Sequence, residues 1–118
     1  MLTIYTYKNC STCRKAKKFL RLRSIDYEEK PIREDPPTIK ELAVMLKTYN
    51  GQIKHLFNSS SQDYREAGLK DKLTNLKQKE AFDYLQSNGN LVKRPFLIGE
   101  NIALLGFKES EWASLLDD

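Results

Sequence analysis

The chain is poor in the residues that small proteins use as staples or ligands. Its 118 residues include two cysteines, one histidine, five glycines and four prolines. Two cysteines cannot build a disulfide framework, and a chain of this length buries a core without one. A structural zinc site needs about four Cys, His or carboxylate ligands. Cys10, Cys13 and His55 exhaust the soft ligands, and no second C-x-x-C follows. Intramolecular zinc is therefore a poor fit, and no metal is expected. Long apolar runs are also missing, since stretches such as "PFLIG" fall far short of the ~20 residues of a spanning helix. The opening "MLTIYTYKN" has neither a basic leader nor a long apolar segment. It does not read as a signal peptide, and a cytoplasmic location is the default expectation.

What is present is ordinary for a globular protein: 40% apolar and 31% charged residues, with a net charge of +4. The composition is too apolar for a disordered chain. The small basic excess reads as a solvated surface rather than a nucleic-acid interface, because the basic residues are not interleaved with aromatics. Neither a nucleic acid nor a membrane is expected as a partner.

Hydrophobic periodicity divides the chain into elements of one domain, residues 1–118. "LTIYTY" (Leu2 to Tyr7) is β-branched and aromatic, and predicts a buried strand that ends just before Cys10. From Ser11 to about Arg23, residues Cys13, Ala16, Phe19 and Leu20 share a helical arc opposite Lys15, Lys17, Lys18 and Arg21. Residues 25–32 predict a second strand, with Pro31 marking an edge. "PPTIKELAVMLKTYNG" predicts a helix with Thr38 and Glu41 as a capping box and Ile39, Leu42, Ala43, Leu46 and Tyr49 on one face. A short helical turn ends at Gly68. A further helix follows, with Gln78, Ala81, Phe82 and Leu85 on one face. "RPFLIG" and "NIALLGF" form a predicted hairpin. "KESEWASLL" closes the chain as a helix packed through Trp112, Leu115 and Leu116. The expected architecture is α/β, with a parallel β-α-β start, a helical insert and a β-β-α end on a mixed four-stranded sheet.

The sharpest chemical signal is "NCSTCRK". Cys10 falls where a strand runs into a helix N-terminus. Unpaired N–H groups and the helix dipole there favour a thiolate. Cys13 sits one turn further, within reach to form a disulfide. Cys10 is accordingly the expected nucleophile and Cys13 the expected resolving thiol, with small Ser11 and Thr12 leaving the approach open. The competing reading, two buried small hydrophobes, is the weaker one. Arg14 and Lys15 add to the positive field if their heads turn toward Cys10. A tyrosine-phosphatase loop is excluded, because the position six after Cys10 is Ala16 rather than Arg. In "LVKRPFLIG", Arg94 precedes Pro95 at a strand start. On the residues alone Arg94 reads as a surface charge before it reads as a fork for an anion.

Taken together, "YKNCSTCRKAKKFL", "LFNSSSQDYREAGLKDKL" and "GNLVKRPFLIGENIALLGFKESEW" resemble the arsenate reductase-like family, which also contains the Spx transcription regulators. The resemblance covers essentially the whole chain and sits nearer the reductase-like branch. It implies a thioredoxin/glutaredoxin-like fold, Cys10 as catalytic cysteine, Arg94 as anion-binding residue and a cis bond before Pro95. It implies no bound cofactor. Glutathione with glutaredoxin, or thioredoxin, is the implied electron donor. A small oxyanion or a thiol or disulfide is the implied substrate, and a redox partner protein fits the same chemistry. Under the Spx alternative the partner is the RNA polymerase α-subunit. The chain departs from the reductases in three places. Asn58 stands where they carry an arginine before the "Y-x-x-x-G-L" stretch. Gly106, Phe107 and Lys108 occupy the region of a further arginine. Cys13 replaces a hydroxyl residue and permits an internal disulfide.

Overall fold

A computed structural model describes residues 2–117. The elements in chain order are β1 (Leu2–Thr6), α1 (Ser11–Leu22), β2 (Tyr27–Pro31), α2 (Ile39–Thr48), α3 (Gln62–Glu66), α4 (Leu69–Lys72), α5 (Gln78–Ser87), β3 (Phe96–Ile98), β4 (Ala103–Leu105) and α6 (Glu109–Leu116). The sheet order is β2-β1-β3-β4. β1 runs parallel to β2, and β3 is antiparallel to both β1 and β4. The expected mixed four-stranded α/β architecture is therefore present, and β2, which ends on Pro31, is an edge.

Strand alternation divides the core. Ile4, Leu97 and Leu104 point to one face and pack with Ala16, Phe19 and Leu20 of α1 and Trp112 of α6. Tyr5, Phe96, Ile98, Ala103 and Leu105 point to the other face, against Leu42, Met45, Leu46, Ala81, Phe82 and Leu85 of α2 and α5. The first face is aromatic at its centre, with the Phe107 and Trp112 rings edge-on at 5.0 Å. The Trp112 indole N–H donates to the Gly106 carbonyl at 3.1 Å.

The Thr38–Glu41 capping box forms as expected. Glu41 also accepts from the Tyr5 hydroxyl at 2.6 Å, which ties α2 to the central strand. Three helical faces keep their expected centres, Leu42 and Leu46, then Ala81, Phe82 and Leu85, then Trp112, but lose residues at their edges. In α2, Ile39 and Ala43 are exposed and Met45 is buried in their stead. In α5, Gln78 is exposed. In α6, Leu115 is 58% exposed and Trp112 alone is buried. Each of these helices meets the core with a narrower stripe than its periodicity allows.

Gly89 is required by a close approach rather than by a turn. A Cβ at this position would lie 1.8 Å from the Ile32 carbonyl oxygen and 2.9 Å from Arg33 Cα. The segment after α5 therefore lies directly on the exit of β2. No helix among the described residues is long and apolar enough to cross a membrane.

Candidate active site

The site is assembled by the central strand and its two neighbours. Past its last residue, β1 continues to Tyr7, whose carbonyl accepts from Cys10 N–H at 3.0 Å in a tight turn. Cys10 is the N-cap of α1, and its sulfur accepts the Cys13 backbone N–H at 3.3 Å. A capping side chain satisfies one of the orphan donors of a helix start, and an anionic cap adds the dipole interaction. No acidic residue lies in the first turn of α1 to oppose that field. Ser11 and Thr12 are the first two residues of the helix, between the cap and Cys13.

The two thiols are free, Cys10 half-buried and Cys13 buried. Burial pushes the Cys10 thiol up, but this is outweighed. Cys13 donates to it from both its thiol and its backbone, the Arg94 guanidinium faces it, and Cys10 is held below the ordinary thiol value. Burial also pushes Cys13 up, and there nothing outweighs it. Its own hydrogen bond to Cys10 and the charge developing there add to the effect, so the Cys13 thiol rises to about 12. One turn of helix thus separates a thiol poised to ionise from one poised to keep its proton.

Arg94 reaches the site through strand register. Tyr5 pairs with Phe96 across β1 and β3. Two residues further along the antiparallel ladder, Arg94 falls level with Tyr7. Its guanidinium carbon lies 4.8 Å from the Tyr7 ring centroid. The Arg94–Pro95 bond is cis. Arg94 Nη1 is buried and has no hydrogen-bond partner among the described residues. Such an orphaned donor is costly unless an anion completes it.

The other expected residues are placed differently. The Arg14 guanidinium donates to the Lys8 carbonyl at 3.3 Å, on the turn leading into Cys10. Lys15 lines a surface groove with Phe19, Leu22 and Phe107. Asn58 N–H donates to the Leu91 carbonyl at 2.7 Å, and its side-chain oxygen accepts from Ser60 N–H. It starts the loop before α3, and its amide oxygen is taken up by that turn. Gly106 and Phe107 serve packing against Trp112. Lys108 is the N-cap of α6. His55 lies on Tyr49, with ring centroids 5.9 Å apart.

Two residues at the site were not anticipated. Tyr7 carries Arg94 on its ring, and Arg33 Nη1 donates to its hydroxyl at 3.1 Å. The available signal was parity: Tyr7 repeats the orientation of Tyr5 beyond the strand end, three residues before Cys10.

These features can be compared with known proteins. The model of the ArsC family matches residues 5–115. This chain belongs to the ArsC family. It is 39% identical over 111 residues to the Bacillus subtilis protein YusI, which covers 94% of each chain. It is 29% identical to the global transcriptional regulator Spx of Listeria innocua, over 94% of this chain and 83% of that one. Among solved structures, a Streptococcus mutans protein described as a possible arsenate reductase superposes with a TM-score of 0.85 at 41% identity, over 92% of each chain. A Staphylococcus aureus protein solved by NMR gives 0.84 at 40% identity, over 97% of each. The ArsC fold is thioredoxin-like, and the mixed sheet with the cysteine pair at the first strand–helix junction conforms to it.

Proposed function

We propose that this ArsC family protein is a thiol-dependent oxidoreductase of the cytoplasm, with Cys10 as nucleophile and Cys13 as resolving thiol. One observation carries the reading: the depressed Cys10 thiol caps α1 beside a buried Arg94 N–H that has no partner among the described residues. A disulfide RS–SR or a related oxidised thiol is the substrate that best fits. The Cys10 thiolate attacks one sulfur, the Cys10–S–SR bond forms, the S–S bond breaks and RS⁻ leaves. Arg94 offers its N–H groups to the charge as it moves outward. Once Cys10 is neutral in the mixed disulfide, the charge that held the Cys13 proton in place is gone. Cys13 releases its proton to solvent and attacks Cys10 Sγ, and the second RS⁻ leaves. The substrate has gained two electrons, and the protein carries a Cys10–Cys13 disulfide. Glutathione with glutaredoxin, or thioredoxin, is the proposed donor that restores both thiols.

Arsenate is the weaker substrate. Charge neutralisation is much of what a site offers an oxyanion. Of the three arginine positions that the reductases use, only Arg94 is kept here, while Asn58 and Gly106–Lys108 are engaged in turns and packing. The test is mass spectrometry after mild disulfide treatment. Wild type should form an internal Cys10–Cys13 disulfide, and Cys13→Ser should stop at a mixed disulfide on Cys10. An adduct that accumulates on Cys13 instead would sink the assignment.

The similarity to Spx over nearly the whole chain, together with Cys13, supports a second reading: a redox-switched regulator that binds the α-subunit of RNA polymerase. A pull-down against the C-terminal domain of that polymerase component decides it. Retention that requires the Cys10–Cys13 disulfide would put this reading first.

A further inference from the structure

β1 has a neighbour on each side, and each delivers an arginine to the same ring. β3 brings Arg94 level with Tyr7 from one side. From the other, β2 pairs Pro31 with Thr6, and Ile32 N–H donates to the Thr6 carbonyl at 2.9 Å. The next residue, Arg33, then lies beside Tyr7. Its guanidinium carbon is 5.0 Å from the ring centroid, against 4.8 Å for Arg94. The Tyr7 hydroxyl accepts from Arg33 Nη1 at 3.1 Å and from Asn9 Nδ2 at 3.3 Å. Asn9, and after it the charge and hydrogen bond of Arg33, draw the Tyr7 hydroxyl below the ordinary phenol range.

Two guanidinium groups against one ring repel each other, and neither makes an ion pair within 4.0 Å among the described residues. Arg33 spends one N–H on Tyr7, and its charge also helps to lower the Asp63 carboxyl, but the rest of its fork makes no hydrogen bond among the described residues. Beside it lies a groove of about 400 Å³, lined by Thr6, Tyr7, Lys8, Pro31, Arg33 and Glu34. Arg94 faces the sulfur, whereas Arg33 faces the groove. A compact oxyanion at Cys10 uses the first and leaves the second idle. A molecule whose negative charge is displaced from its reacting sulfur uses both.

The geometry points to Arg33, held by Tyr7, as a specificity residue that binds the carboxylate of a small carboxylated disulfide or thiol adduct while its sulfur reacts at Cys10. This rests on the thiol chemistry proposed above. It assigns to the exit of β2 a charge that the ArsC arginine positions do not supply here. Glu34 also lines the groove, and its negative charge opposes a doubly charged phosphate more than a singly charged carboxylate.

The test uses a matched pair of substrates, dithiodipropionate and its neutral diamide, with the rate of Cys10 mixed-disulfide formation read by mass spectrometry in Cys13→Ser protein. The dicarboxylate should react faster than the diamide after correction for their rates with a free model thiol. Arg33→Gln should slow the dicarboxylate about tenfold, the scale of one charge-assisted hydrogen bond, and leave the diamide unchanged. Arg33→Lys should recover only part of that loss. Generic attraction by a surface charge would be fully restored by lysine, and that outcome overturns the assignment. Equal slowing of both substrates, or of neither, overturns it too. Tyr7→Phe should mimic part of the Arg33→Gln effect by raising the disulfide concentration needed for half-maximal rate rather than by lowering the maximal rate, with an unchanged thermal midpoint showing that the fold is intact. If Cys10 reacts with neither disulfide, the oxidoreductase reading falls together with this one. Reaction without charge preference removes this one alone.

Discussion

Cys10 and Cys13 share one helix and are separated by a single turn, but their surroundings treat the same functional group in opposite ways. Cys10 lies at the mouth, half-buried, where it accepts from the helix N-terminus and faces Arg94. Cys13 lies beneath it, 1% exposed, and donates to the sulfur above. Burial acts on both thiols in the same direction. The difference comes from the balance: Cys13 gives its thiol hydrogen to Cys10 and receives only a backbone bond from Tyr7, whereas Cys10 receives from both the thiol and the backbone of Cys13. A helix start supplies donors to its cap and none to the side chain three residues on, so the asymmetry follows from C-x-x-C placed at this point of the fold.

The most severe way to break the comparison is Cys10→Ser. Disulfide turnover should fall by roughly a thousandfold or more, as when a nucleophile is removed from a concerted site. Turnover within tenfold of wild type would move the nucleophile to Cys13. Removing the charge alone, by Arg94→Met, should raise the Cys10 thiol back toward the ordinary thiol range and cut the thiolate fraction at neutral pH. Ultraviolet thiolate absorbance against pH measures this, and an unmoved midpoint would confine Arg94 to substrate binding.

The smallest effect concerns stability. In the unfolded chain Cys13 ionises near about 8.5, whereas in the fold it keeps its proton up to about 12. Between those values the native state holds more protons than the unfolded state, so stability falls as pH rises. Cys10 behaves oppositely. Its thiol is depressed in the fold, so its contribution is present above the unfolded value and is lost as pH falls through the folded one. Cys13→Ala should therefore flatten the alkaline decline of the urea midpoint. The slope is the quantity to compare, because the loss of the buried sulfur shifts the level at every pH. An unchanged slope would mean that Cys13 ionises readily in the native state.

Features set by local spacing were legible in the sequence. The cap at Cys10, the α1 arc through Cys13, Ala16, Phe19 and Leu20, and the Thr38–Glu41 box each depend on residues within two turns. Which flank of a helix meets the sheet was not legible at Ile39, Gln78 and Leu115, because periodicity defines a stripe whereas the docking angle selects its edge. Arg94 was visible as a candidate only through the family resemblance, since strand register carries it across from β3 to Tyr7. Arg33 was invisible for the same reason, with no motif to recommend it. Its relation to Tyr7 spans 26 positions and exists only because β1 and β2 run parallel and end together.

Gly89 has a consequence for reading relatives of this chain. The hydrogen atom in place of a side chain sets the clearance between the strand exit that carries Arg33 and the segment that leads to Arg94. A residue of any size at that position must spread the two apart, as a shim would. The letter at position 89 thus serves as a gauge. A relative with glycine there keeps the close approach seen here, and a side chain there has to push the Ile32–Arg33 backbone aside, and the Arg33 side chain with it.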